Sequence, residues 1–133
     1  MTIANLCILA ACVLPVACSM LARAKGKSLP DSGGPMAAFD NHNPRGFMAQ
    51  LTGWRARANA AQANSFEALP LFIAGVLAAQ QTHAAQGRID LLALGFIAAR
   101  LVYIGLYVGN QATLRSLVWG IGAACCVAMF FLG

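Results

Sequence analysis

The chain has 133 residues, of which 59% are apolar and only 10% are charged. This charged share is well under half of the roughly 25% that is usual for a soluble domain, so too little polar surface is present to cover a soluble fold. The same composition excludes intrinsic disorder, a collagen-like fibre and a secreted disulfide scaffold. With 13 glycines and few β-branched residues, it predicts an all-α integral membrane protein with one domain over residues 1–133.

The charges are unbalanced, with 9 Lys and Arg against 4 Asp and Glu. In a soluble protein a net charge of +5 would suggest nucleic acid as a partner. No basic face with interleaved aromatic residues occurs outside the apolar segments, so no nucleic acid partner is predicted. In a membrane protein the same excess marks the cytoplasmic segments, which retain Lys and Arg.

Four apolar segments are predicted to cross the membrane, since a spanning helix needs about 20 mostly apolar residues. The predicted spans are residues 3–22, 58–80, 90–108 and 115–132. Short connections make neighbouring helices antiparallel, so the expected architecture is an up-down four-transmembrane-helix bundle. Residues 23–46, rich in Pro and Gly, are predicted to form an exposed irregular loop. One long helix, kinked at Pro70, is expected from Phe47 to Gln80.

Orientation follows from the cationic side chains, most of which lie in the first loop and at the start of the next helix. The turn between the second and third spans carries only Arg88, beside Asp90. The first loop is therefore predicted to be cytoplasmic, with both termini on the opposite side. The connection that carries Arg115 then returns to the cytoplasm.

Two ionisable residues, Glu67 and Arg100, lie inside predicted spans, where charge is costly and usually functional. Each belongs to a polar helix face: Arg57, Asn64 and Glu67 on the second span, and Arg100, Tyr103 and Tyr107 on the third. The topology places both faces at a similar depth, with Arg115 at the mouth, which favours a small anionic or zwitterionic ligand. Alternatively, Glu67 and Arg100 only pair with one another and hold the two helices in register.

The other chemically distinctive residues carry no predicted site. The five cysteines lack the paired spacing of a metal centre and are interpreted as small apolar side chains. His42 and His83 are expected to be solvated loop residues. No metal site, catalytic triad or phosphate-binding loop is predicted.

The motif Asn64-x-x-Glu67-x-x-Pro70, followed by Arg100-x-x-Tyr103-x-x-x-Tyr107 and then Arg115, resembles the MAPEG family. These are the membrane-associated proteins in eicosanoid and glutathione metabolism, and the similarity in layout covers nearly the whole chain. The likeness is greatest to the bacterial branch, whose members are mostly uncharacterised. It therefore implies a multi-pass protein of the bacterial inner membrane.

The resemblance also implies a homotrimer that binds glutathione as a cosubstrate between protomers near the cytoplasmic side. Arg115 would stabilise the glutathione thiolate, which attacks a small hydrophobic electrophile taken from the membrane lipid or reduces a hydroperoxide. The glutathione contacts implied by motif matching are Asn64, Glu67, Arg100, Tyr103, Tyr107 and Arg57. The implied function is that of a glutathione-dependent transferase or peroxidase.

One departure from the family pattern leaves a second hypothesis open. Glutathione-using members commonly have a basic residue four positions before the motif asparagine, where this chain has Ala60. The alternative is a non-catalytic trimeric membrane protein that binds lipid or serves as an accessory subunit. A small transporter is a third reading, disfavoured because a bundle of this length offers little for alternating access.

Overall fold

The computed structural model describes residues 1–24 and 39–133. Within these ranges the chain forms five helices and no strand, which confirms the all-α prediction. The helices are α1 (Ile3–Arg23), α2 (Pro44–Ala49), α3 (Gly53–Gln81), α4 (Gln86–Val108) and α5 (Ala112–Met129). By length and composition three of them, α1, α4 and α5, can cross a membrane. The predicted second span, residues 58–80, lies within α3, which is more polar than these three.

Residues 23–46 were predicted to form an irregular loop, but helices extend into both ends of this range. Residues 25–38 lie outside the described residues. Arg23 is the last residue of α1, and Pro44 begins the short helix α2. This helix starts where it does because the Asn43 side chain accepts a hydrogen bond from the Gly46 N–H at 3.0 Å, and because proline suits a first helical turn.

The single long helix expected from Phe47 to Gln80 is also wrong, because the chain leaves the helical conformation between α2 and α3. Thr52 is extended, and Gly53 has a φ of 59°, in the region that favours glycine. From Gly53 onward, α3 continues through Pro70 to Gln81 without interruption.

At one end of the bundle, which we call the terminal end, α1 and α4 begin and α3 ends. Gln80 Nε2 donates a hydrogen bond to Asn5 Oδ1 at 3.1 Å. The Ala4 N–H donates to Asp90 Oδ1 at 2.8 Å. A carboxylate on α4 therefore satisfies one of the free N–H groups in the first turn of α1.

At the opposite end, the loop end, α1 and α4 finish and α3 begins. Arg55 Nε donates to the backbone oxygen of Ala22 at 2.7 Å, and Arg57 Nε donates to that of Val108 at 2.9 Å. Two arginines of α3 thus cap the carboxyl ends of two neighbouring helices, where cations are favourable. These contacts make α3 antiparallel to both α1 and α4.

The core between the four long helices consists mainly of small side chains and one aromatic pair. Phe72 on α3 and Phe96 on α4 stack with their ring centroids 4.0 Å apart. Small residues let the helix backbones approach closely, as is common in membrane bundles. The buried apolar cluster comprises Ala4, Cys7, Ala11, Phe72, Val76, Ala79, Ile89, Ala93, Phe96, Cys126 and Met129.

Gly75 is a point of close approach between α3 and α5. A Cβ atom placed there would lie 2.9 Å from the backbone oxygen of Cys126. We therefore expect Gly75→Ala to lower the free energy of unfolding by about 1–3 kcal/mol, because the α5 backbone must shift. The matched control is Gly120→Ala, since nothing lies within 4 Å of that position. Thermal unfolding in detergent should show a lower Tm for Gly75→Ala alone; equal Tm values would contradict the close packing.

Candidate functional site

Arg100 lies in the middle of α4 and is only 4% exposed. Its Nη1 donates to Asn64 Oδ1 at 2.9 Å, and its Nη2 donates to Ser65 Oγ at 3.0 Å. Both acceptors are neutral and stand side by side on α3. Within the described ranges, the guanidinium is therefore held by hydrogen bonds to uncharged groups.

Glu67 is close to Arg100 but does not pair with it directly. No nitrogen of Arg100 lies within 4.0 Å of a carboxylate oxygen in the part of the chain that the structure describes. Instead, Asn64 Nδ2 donates to Glu67 Oε2 at 3.3 Å. The amide of Asn64 thus stands between the cation and the carboxylate, and the alternative in which those two residues only pair with one another is not what the structure shows.

The two motif tyrosines continue from Arg100 toward the loop end. The Arg100 Cζ atom lies 4.2 Å from the centroid of the Tyr103 ring, and the two tyrosine ring centroids are 5.6 Å apart. The Arg115 Cζ atom lies 4.1 Å from the Tyr107 centroid. We call Arg100, Tyr103, Tyr107 and Arg115 the tyrosine ladder. Cation–π contacts at both ends hold the two guanidinium groups against the rings.

A cavity of about 140 Å³ lies between α3, α4 and α5, beside Arg100. Its polar part is formed by predicted site residues and its larger part by apolar side chains. The lining residues are Asn64, Glu67, Ala68, Leu71, Phe96, Ala99, Arg100, Tyr103, Val118, Trp119, Gly122, Ala123 and Cys126. Leu71 and Trp119 are 42% and 51% exposed, so the cavity opens on the outer surface of the bundle.

Three of the predicted site residues do not line this cavity. Tyr107 and Arg115 lie further along the ladder, and Arg57 donates to the end of α4. The structure thus joins Asn64, Glu67, Arg100 and Tyr103 around one space and places the remaining predicted residues nearer the loop end. Residues seven apart, such as Arg57 and Asn64, share a helix face but lie two turns apart along it. The spacing in the sequence therefore predicted the shared face, but not which of its residues would reach the cavity.

Several residues beside Arg100 were not predicted as part of a site. Ser65 follows the motif asparagine directly, and a hydroxyl beside that residue is visible in the sequence as a possible polar contact. Phe96, Trp119 and Cys126 complete the cavity wall, but apolar residues in apolar helices carry no such signal. No group of three or more His, Cys, Asp or Glu side chains able to hold a metal ion occurs in residues 1–24 and 39–133.

Comparison with known proteins identifies the family. The sequence profile of the MAPEG family matches residues 3–133, essentially the whole chain. No curated protein and no solved structure shows significant similarity to this chain. Together with three helices that are long and apolar enough to cross a membrane, the match shows that this chain is a multi-pass membrane protein that belongs to the MAPEG family.

Proposed function

We propose that this protein binds glutathione beside Arg100 and uses its thiol as a glutathione-dependent transferase or peroxidase acting on lipophilic electrophiles. The observation that carries the proposal is a buried cation, Arg100, that has no carboxylate partner among residues 1–24 and 39–133. A buried charge is costly unless it is paired. An anionic ligand in the adjoining cavity would supply the missing charge, and a guanidinium binds carboxylates with two parallel hydrogen bonds.

The charges around the cavity match those of the ligand. Glutathione carries two carboxylates and one ammonium group. Arg100 can donate hydrogen bonds to a carboxylate of the ligand. The exposed carboxylate of Glu67, which lies on the far side of Asn64, can accept hydrogen bonds from its ammonium group. Two opposite charges held apart by an amide favour a zwitterion over a simple anion.

The size of the cavity implies that only part of the tripeptide enters it. Ligand pockets for drug-sized molecules have volumes of about 300–1,000 Å³, whereas this cavity has about 140 Å³. The rest of the ligand would lie along the tyrosine ladder. Arg100 and Tyr107 are two helical turns apart, roughly 10 Å, and an extended tripeptide spans about 10 Å. A ligand anchored at Arg100 is therefore long enough to reach Arg115.

Arg115 is the proposed catalytic residue. A free thiol has a pKa near 8.5, so little thiolate is present at pH 7, and an adjacent guanidinium favours the thiolate. In a transferase reaction the thiolate attacks the electrophilic carbon, a sulfur–carbon bond forms, and the leaving group departs with its electron pair. In a peroxidase reaction the thiolate attacks the terminal hydroperoxide oxygen, the O–O bond breaks, and the alkoxide takes up a proton and leaves as the alcohol. The resulting glutathione sulfenic acid then reacts with a second glutathione to give the disulfide and water.

We further propose that α3 is the fourth membrane span and that the protein is a homotrimer. Hydrogen bonds at both ends of α3 hold it along α1, and the bond from Arg57 joins its loop end to α4. It therefore covers the same depth as α1, a helix that can span. The cavity opens outward and is too small for the whole ligand, which supports closure by a neighbouring subunit. The cationic loop end would face the cytoplasm of a bacterial inner membrane, with both termini on the other side.

The test is glutathione binding by isothermal titration calorimetry of the purified protein in detergent, compared with glutathione whose two carboxylates are esterified. We expect glutathione to bind at millimolar or lower concentration and the diester at least tenfold more weakly, because the ester removes the charge that Arg100 recognises. Absence of heat with millimolar glutathione would overturn the proposal.

A non-catalytic trimer that binds lipid is the second candidate, and Ala60 favours it because that helix position offers no cation to the ligand. Under this hypothesis the anion beside Arg100 is a lipid head group. Native mass spectrometry distinguishes the two candidates. The second would be favoured if the native protein retains a phospholipid that Arg100→Met loses, and if the native protein neither binds glutathione nor conjugates any electrophile.

A further inference from the structure

We infer that Ser65 is a positioning residue that fixes the guanidinium of Arg100 in the orientation in which it faces the cavity, an inference that rests on the proposed function of Arg100 as the anion-binding group. Ser65 is 3% exposed and does not line the cavity. It therefore acts on a ligand only through Arg100.

The hydroxyl of Ser65 has a defined direction. Its Oγ donates to the backbone oxygen of Ala61, one turn earlier on α3, at 2.8 Å. A serine hydroxyl has a single proton, so the bond to Ala61 uses the only proton that Ser65 Oγ can donate. The remaining lone pairs of Oγ then accept from Arg100 Nη2 at 3.0 Å. Ser65 consequently acts as a fixed acceptor rather than as a rotating hydroxyl.

Ser65 and Asn64 bind different nitrogens of one rigid plane. Arg100 Nη1 is held by Asn64 and Nη2 by Ser65, and two such bonds to one helix fix the orientation of a planar guanidinium. Asn64 lines the cavity and also donates to Glu67, so a ligand can disturb it. Ser65 is shielded from the cavity, and the Cys18 thiol of α1 lies beside it. Ser65 is thus the anchor that persists when the site fills.

The first experiment needs no ligand. In ¹⁵N-arginine NMR of the full chain in micelles, with the Arg100 signals assigned by their loss in Arg100→Met, we expect slow Cζ–Nη rotation and separate Nη signals for the native protein. Ser65→Ala should average them. Ser19→Ala, which removes another buried serine hydroxyl, on α1, should leave them separate. Averaged signals in the native protein, or separate signals in Ser65→Ala, would overturn the inference.

The second experiment measures the preference for glutathione over its diester. We expect Ser65→Ala to reduce this preference about tenfold, because a misoriented guanidinium no longer selects the carboxylate. Ser65→Thr, which keeps a hydroxyl able to bond the same carbonyl, should restore it. A merely structural defect would weaken both ligands equally, and that result would contradict positioning. If the native protein binds neither ligand, the proposed function fails while the NMR result still decides the role of Ser65.

Discussion

Replacement of Arg100 by Met or Ala is expected to weaken glutathione binding at least 100-fold. A hydrogen bond to a charged group contributes about 1.5–3 kcal/mol, two such bonds to one carboxylate are lost, and each 1.4 kcal/mol corresponds to a factor of ten. Calorimetry of the purified variants in detergent measures the effect. Met fills most of the volume of the arginine stem, so Arg100→Met separates loss of charge from loss of packing.

The fold should survive this substitution, because both acceptors of Arg100 retain another partner. Ser65 still donates to Ala61, and Asn64 still donates to Glu67. The matched control is Arg88→Ala, an exposed arginine in the first turns of the same helix, which should leave both affinity and Tm unchanged. Glutathione affinity within threefold of the native value for Arg100→Met would show that the ligand does not bind there.

Arg115→Ala is expected to lower kcat about 10- to 100-fold with little change in glutathione affinity. Removing the guanidinium raises the pKa of the bound thiol, and each unit corresponds to about 1.4 kcal/mol of differential stabilisation. Since the reactive form is the thiolate, the rise of kcat with pH should shift to higher pH. Steady-state kinetics with a chromogenic aryl halide, measured across a pH series, tests this.

Two further variants sharpen the result. Tyr107→Leu removes the ring that lies 4.1 Å from the Arg115 guanidinium, so we expect a smaller shift in the same direction. Arg45→Ala changes an exposed arginine of α2 and should leave the pH profile unchanged. If Arg115→Ala and the native protein have the same profile, another group stabilises the thiolate.

The polar centre was largely predictable from sequence, because charge is so rare in apolar helices. Arg100 and Glu67 were conspicuous inside predicted spans, and periodicity placed Asn64 and Tyr103 with them. What sequence could not supply was the order of contacts. Asn64 stands between the two charges, a detail fixed by side-chain geometry across two helices rather than by spacing along either.

The loop end was less predictable, since its interactions join residues far apart in the chain. Arg57 shares the helix face of Asn64 but bonds to Val108, because α4 ends opposite it. The break before α3 was missed for a local reason. Thr52 and Gly53 are poor helix formers, but one such pair inside a long helical pattern does not by itself predict a break. The structure shows the break in the extended backbone of Thr52 and the positive φ of Gly53.

The arginine caps at the loop end have a consequence for how the protein is made. α3 is too polar to be among the helices that qualify as independent spans, yet Arg55 bonds to the end of α1 and Gln80 to its beginning. We expect α1 and α3 to leave the translocon together as a hairpin, with α1 shielding one side of α3. The hydrogen bonds from Arg100 to Asn64 and Ser65 can form only after α4 has been synthesised. The polar part of the proposed ligand site is therefore completed only after α4 has inserted beside this hairpin.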